Sequence, residues 1–187
     1  MSEKSALRSR VRQLYAGRCE RDRQSALICR HVLASPWYRE ARVVGGYIPM
    51  QREADVTTIL RDVLSSGRTL ALPRCGQAPF MTLRWVTSLE ELVPGAYGIP
   101  EPGEDTEIIG ADALDLLLTP LEAVDPRGMR LGKGGGYYDC LLAEHAVRTM
   151  GCALSWQRVS RVPAEPWDRR LNACAAADGI CYFDQEE

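Results

Sequence analysis

The stretch LDLLLTPLEAVDPRGMRLGKGGGYYDC, residues 114–140, joins an apolar run to the densest glycine run of the chain. Residues 114–124 read as a strand buried on both faces, plausible at the centre of a sheet. Gly132, Gly134, Gly135 and Gly136 then surround Lys133, and a helix is expected from about 137 to 149. In α/β folds ligands collect where strand ends meet helix starts, and the glycine run occupies such a junction.

Working outward, the other segments support the same class. Residues 4–34 read as a long helix or helix pair, with Leu7, Val11 and Leu14 at helical spacing and no proline before Pro36. RVVGGYI (42–48) is a buried strand. Asp55 looks like the N-cap of a helix carrying Val56, Ile59, Leu60, Val63 and Leu64 on one face and ending at Gly67. TLALP (69–73) and the alternating MTLRWV (81–86) are strands, and SLEE (88–91) has the form of a capping box. Residues 93–110, rich in Pro and Gly, read as a long surface loop. GCALSWQ (151–157) and DGICYF (178–183) supply the last strands. Strands alternating with helical segments predict an α/β sandwich around a mostly parallel sheet, in one domain spanning 1–187.

The totals exclude several classes. Apolar and charged fractions of 45% and 26% are ordinary for a globular protein, and the net charge of −2 argues against a general nucleic-acid or membrane-surface binder. Seven scattered cysteines without metal-ligand spacing, and a charged start where a leader needs an apolar run, read as reduced thiols in the cytoplasm. His31 and His145 are isolated and read as ordinary helix residues.

Glycines let main-chain N–H groups close around an anion, and the helix beyond adds its dipole. Arg130 can clamp a phosphate with two prongs, whereas Lys133 acts as a point charge. The spacing is neither a Walker A loop nor a dinucleotide fingerprint, and a ligand-free turn is the bland alternative. Asp139, in the first helical turn, either complements the dipole or holds Mg²⁺ beside a polyphosphate. Of the adjacent Tyr137 and Tyr138, one belongs to the core and the other can border a flat ligand. Lys4, Arg8 and Arg12 share one helix face, which is either solvated or folded over the glycine loop. Glu53 is either a plain loop acid or faces the same cleft.

The run from Asp125 to Asp139 resembles the signature of the 5-formyltetrahydrofolate cyclo-ligase family, also called methenyltetrahydrofolate synthetases. Asp125, Gly128, Arg130, Leu131, Gly132, Gly134, Gly136, Tyr137, Tyr138 and Asp139 all match that pattern. KSALR (4–8), YIPMQREAD (47–55), YGIPEP (97–102) and VPAEPWD (162–168) are similar to further family stretches, so the likeness spans nearly the whole chain. The resemblance implies a Rossmann-like, three-layer αβα sandwich similar to the NagB/RpiA/CoA-transferase-like fold. It implies MgATP-dependent closure of 5-formyltetrahydrofolate to 5,10-methenyltetrahydrofolate. In that reaction ATP phosphorylates the formyl oxygen, the side-arm nitrogen attacks, and phosphate leaves with ADP already formed.

Carried over by position, the resemblance implies that ATP is bound by Lys4, Ser5, Arg8 and the loop Arg130, Leu131, Gly132, Lys133, Gly134, Gly135, Gly136, Tyr137 and Tyr138. Asp139 and Asp168 would hold Mg²⁺. Ile48, Glu53, Lys133 and Tyr137 would touch the folate, and Arg130, Lys133 and Tyr137 would act in catalysis. A reduced folate is the expected partner of a monomer that binds neither nucleic acid nor membrane. Segments 152–162 and 171–178 depart from the family pattern, as do Glu122, Cys140 and Ala177. They leave open an ATP-dependent enzyme on the same scaffold with a non-folate substrate. A nucleic-acid module using the basic N-terminal helix is the third reading.

Overall fold

In a computed structural model that describes residues 2–183, the chain is a three-layer αβα sandwich. The ends of the expected 1–187 domain, residue 1 and residues 184–187, lie outside the described residues. The helices are α1 (Glu3–Gln13), α2 (Arg18–Ala34), α3 (Pro36–Glu40), α4 (Thr57–Ser65) and α5 (Tyr137–Glu144). The first six strands are β1 (Val43–Gly45), β2 (Thr69–Cys75), β3 (Met81–Val86), β4 (Val93–Pro94), β5 (Pro100–Glu101) and β6 (Ile108–Ile109). The rest are β7 (Leu116–Thr119), β8 (Ala123–Val124), β9 (Arg130–Leu131), β10 (Thr149–Cys152), β11 (Ala173–Ala176) and β12 (Gly179–Tyr182).

The main sheet has the order β12-β11-β10-β7-β1-β2-β3-β6. Its five inner strands, β11 to β2, run parallel, and β12, β3 and β6 pair antiparallel at the edges. Alternation divides the core between two faces. Leu116, Leu118, Leu70 and Leu72 pack with Ile28, Val32, Ile59 and Leu60 of α2 and α4. Leu117 and Ala71 point the other way, into a cluster against which Tyr138, Leu141 and Leu142 of α5 are packed. Leu7 and Val11 anchor α1 on the β8–β9 hairpin through Ala123, Met129 and Leu131. That anchorage brings the start of α1 over the glycine loop. Among the described residues no helix is long and apolar enough to cross a membrane.

Several expected boundaries move. The N-terminal segment is a helix pair, split at Gly17, whose φ of +92° breaks the helix. The strand expected over 114–124 stops at Thr119, because Pro120 has no N–H to continue the ladder, and it resumes as the separate β8. The helix expected to 149 ends at Glu144, because Thr149 is taken into β10 opposite Leu117, with its N–H bonded to Asn172 Oδ1 at 2.8 Å. GCALSWQ is strand only to Cys152 and then turns as a 3₁₀ segment. Val56 rather than Asp55 is the N-cap of α4, although Asp55 Oδ1 still accepts the Thr57 N–H at 3.0 Å. Ser88 caps only a 3₁₀ turn. The 93–110 segment is not a plain loop: it carries β4, β5 and β6 and folds back on the sheet.

Candidate functional site

At the carboxyl edge of β1, β2 and β7, where the chain crosses from one side of β1 to the other, lies a cavity of about 630 Å³. This is the expected place for a ligand in an open parallel sheet, and the volume suits a small-molecule site. Tyr47 and Ile48 after β1, Pro73 and Cys75 of β2, and Pro120 and Leu121 after β7 contribute to its lining. The glycine loop forms one wall and residues 97–101 contribute to the lining elsewhere.

The base of the loop is fixed by Asp125, whose side chain is fully buried. It accepts the main-chain N–H groups of Arg127 (2.9 Å), Met129 (3.1 Å) and Val162 (2.9 Å), and the Arg127 guanidinium at 2.6 Å. Burial pushes its pKa up, but these donors outweigh burial and hold the carboxyl below its ordinary value. From this anchor β9 carries Arg130 inward. Arg130 is buried, stacks over Tyr138 at 5.3 Å, and donates from Nη2 to Asp139 Oδ1 at 3.0 Å. Its Nε is buried and has no hydrogen-bond partner among the described residues.

A Cβ at Gly132 would lie 2.9 Å from Arg130 Nη1, so a larger residue there would have to displace the guanidinium. Gly134 has φ of +107° and faces the Arg8 guanidinium, and α5 begins after Gly136 with no side chain capping it. Arg8 Nε donates to Gly132 O at 2.8 Å. Lys4 Nζ reaches both Asp168 oxygens, at 2.7 and 2.6 Å, and also Glu165. Burial lowers the Lys4 pKa, yet these carboxylates reverse that and leave it raised. Arg12 bonds Glu122 at 2.9 Å, so the helix stripe faces the protein, and the departure at Glu122 is its partner.

The two expected metal carboxylates stand beside the loop, each held by a cation: Asp139 by Arg130 and Asp168 by Lys4. The Arg169 N–H reaches Asp139 Oδ1 at 3.5 Å, tying the 165–169 turn to α5. Among the described residues no three His, Cys, Asp or Glu side chains gather as a metal site. A magnesium ion here would therefore complete its shell from phosphate and water, as Mg²⁺ ordinarily does. An unpartnered buried Arg Nε, a glycine backbone against guanidinium groups and an uncapped helix start fit a polyphosphate.

Lys133 reaches from the loop to the segment that follows β1, pairing with Glu53 Oε1 at 2.7 Å and contacting Met50 Sδ. Glu53 is buried, and its other oxygen accepts the Met50 N–H at 2.7 Å. Glu53 thus faces the cleft. Ile48 and Tyr137 also line it, and Tyr138 lines it while packing against the core. The Tyr137 hydroxyl lies 3.2 Å from that of Tyr97, which with burial pushes its pKa up to about 12. Ser5 sits on α1 with its N–H bonded to Ser2 Oγ at 3.3 Å and does not line the cavity. Sequence reasoning passed over Cys75, Tyr97 and Glu101, which line it as well. The Glu-Pro pair of YGIPEP was visible, but nothing local shows that Glu101 is buried.

Fold and site together define an α/β protein with a cavity at the sheet's carboxyl edge and one wall made of a glycine loop and four cations. A sequence model described as the 5-formyltetrahydrofolate cyclo-ligase family matches residues 1–176. The 5-formyltetrahydrofolate cyclo-ligase of Mus musculus is 31% identical over 194 residues, covering 97% of this chain and 92% of the mouse protein. That of Escherichia coli K12 is 31% identical over 142 residues, covering 71% of this chain and 76% of its own. The solution structure of a 5,10-methenyltetrahydrofolate synthetase from Aquifex aeolicus matches with a TM-score of 0.87 and 30% identity, covering 100% of this chain and 95% of that one. This chain belongs to the 5-formyltetrahydrofolate cyclo-ligase family.

Proposed function

We propose that the protein closes 5-formyltetrahydrofolate to 5,10-methenyltetrahydrofolate, consuming MgATP and releasing ADP and phosphate. The observation that carries this reading is the convergence of Lys4, Arg8, Arg130 and Lys133 on one glycine loop, at the rim of a cavity whose apolar lining includes Ile48, Pro73, Met81, Ile99 and Leu121. We assign the reaction to monomers in the cytoplasm, with residues 1–187 acting as one domain.

ATP supplies the phosphoryl group that makes the formyl oxygen a leaving group, after which the side-arm nitrogen closes on that carbon and phosphate departs. Such a transfer needs positioning and charge neutralisation more than a protein nucleophile. Main-chain N–H groups of residues 132–138 would cradle the phosphates. Arg130 would bind through Nε, which has no partner among the described residues, while Arg8 and Lys4 close from α1. Asp139 and Asp168 would turn from their cations to the metal, freeing Arg130 and Lys4 for phosphate, so charge stays balanced through the exchange. Lys133, steadied by Glu53, would neutralise charge near the formyl oxygen. Tyr137, with its hydroxyl raised to about 12, stays protonated at neutral pH and serves as a donor.

The segments that depart from the family pattern, 152–162 and 171–178, do not line the cavity, so their drift gives a non-folate substrate no separate support. Purified protein given MgATP and 5-formyltetrahydrofolate should generate the ultraviolet absorbance of the methenyl product, with ADP in step. Folded protein that yields neither would end the reading.

A further inference from the structure

Five carboxylates line the cavity, and four of them face a cation. Glu53 pairs with Lys133 at 2.7 Å, Asp139 with Arg130 at 3.0 Å, Asp168 with Lys4 at 2.6 Å, and Glu165 with Lys4. Glu101 is the fifth. It is only 4% exposed, yet among the described residues no basic side chain lies within ion-pair distance. Its Oε1 accepts a long bond from the Ala96 N–H, at 3.3 Å. Its other neighbour is the Cys75 thiol, which burial and the Glu101 charge push up to about 11, so the thiol stays an S–H facing the carboxylate. One long main-chain bond and one weak S–H leave a buried carboxylate short of donors.

The surroundings limit what could supply them. Met81, Ile99 and Pro100 line the cavity, as do the Tyr97 and Tyr137 rings. An apolar slot with tyrosine rings suits a flat heterocycle, and a carboxylate there selects an edge carrying two adjacent N–H donors. A reduced folate has one such edge: the ring N–H beside the exocyclic amine of its aminopyrimidinone. The two donors are spaced to meet the two oxygens of one carboxylate, as the guanidinium fork does.

We propose that Glu101 recognises the aminopyrimidinone edge of the substrate's bicyclic ring and so determines which end of the folate enters the cavity. This rests on the folate reading above. It sets the ring against β5 and the formyl-bearing nitrogen toward Lys133, Tyr137 and the phosphates, leaving the glutamyl end outside. Glu101 then acts as a specificity residue with no part in phosphoryl transfer. Gly95 belongs to the same device: a Cβ there would overlap Glu101 Cγ and Cδ, although the backbone at φ of −122° accepts alanine.

The test compares 5-formyltetrahydrofolate with its 2-desamino-2-methyl analogue, which lacks the exocyclic donor. Wild type should use the analogue about 10- to 100-fold less efficiently, the worth of a hydrogen bond to a charged group. Glu101→Ala should lower kcat/KM for the natural substrate to about the level of the analogue and lose the discrimination, with the KM for MgATP unchanged. Glu101→Gln keeps shape and fold and should discriminate partway, and Gly95→Ala should shift in the same direction as Glu101→Ala. Folded Glu101 variants that still discriminate like wild type, or that lose MgATP and folate equally, overturn the assignment. Wild type that turns over neither folate fails the folate reading itself and takes this assignment with it.

Discussion

On the side of α1 and the glycine loop, four cations are pinned by main-chain oxygens and carboxylates around an uncapped helix start. On the side of residues 97–101, a single buried carboxylate, Glu101, sits among apolar and tyrosine side chains, and among the described residues no basic side chain lies within ion-pair distance of it. The first wall holds its charges in ion pairs, which on the proposed reading a magnesium polyphosphate would exchange. The second holds a carboxylate with few protein donors, which a ligand with paired N–H groups would suit. On the proposed reading the two walls take different substrates, and Lys133 and Tyr137 stand where those substrates meet.

The largest effect should come from the cationic wall. Arg130→Lys keeps the charge but loses the two-pronged geometry and the buried Nε, so kcat/KM for ATP should fall about 100-fold while folate KM stays near wild type. Steady-state kinetics with each substrate varied would show it, and an equal loss for both would erase the division between the walls. Asp139→Asn comes next. The magnesium concentration for half-maximal rate should rise about tenfold with an unchanged circular dichroism spectrum, and an unaltered requirement would make Asp139 a dipole partner only.

Asp125 tests whether the loop needs its anchor. Because its folded pKa lies below the ordinary carboxylate value, its stabilising effect is present above about pH 4 and lost as pH falls through the folded pKa. Asp125→Asn should cost about 1–3 kcal/mol at pH 7 and flatten the acid limb of the stability curve. Urea unfolding at several pH values measures both, and an acid limb as steep as wild type would exclude Asp125 as its source. The smallest effect is expected at the bridge between the walls: Tyr97→Phe removes an exposed hydroxyl pair and should change either KM by less than about threefold. A larger kinetic change would show that the walls are coupled through Tyr97 and Tyr137.

How readily each wall could be read from sequence follows from chain distance. Arg130, Lys133 and Asp139 lie within ten residues at a strand-to-helix junction, so their convergence is local. The stripe of Lys4, Arg8 and Arg12 follows from helical spacing, but its destination depends on Leu7 and Val11 docking on β8–β9, a long-range contact. Glu101 hides in a Pro- and Gly-rich segment whose two-residue strands form only by folding back on one another and on the sheet. β11 escaped because ACAA carries no strand propensity; its small side chains fit where α2 packs over the parallel pair with β10. Pairing across the sheet also ended the 137–149 helix early, a preference that no local window contains.

The most direct test of the account is a crystal structure with magnesium and a non-hydrolysable ATP analogue. The account predicts Arg130 Nε and the main-chain N–H groups of residues 132–138 on the phosphates, with the Lys4–Asp168 and Arg130–Asp139 pairs opened toward phosphate and metal. Phosphates bound elsewhere, with both ion pairs intact and the glycine loop empty, would contradict it.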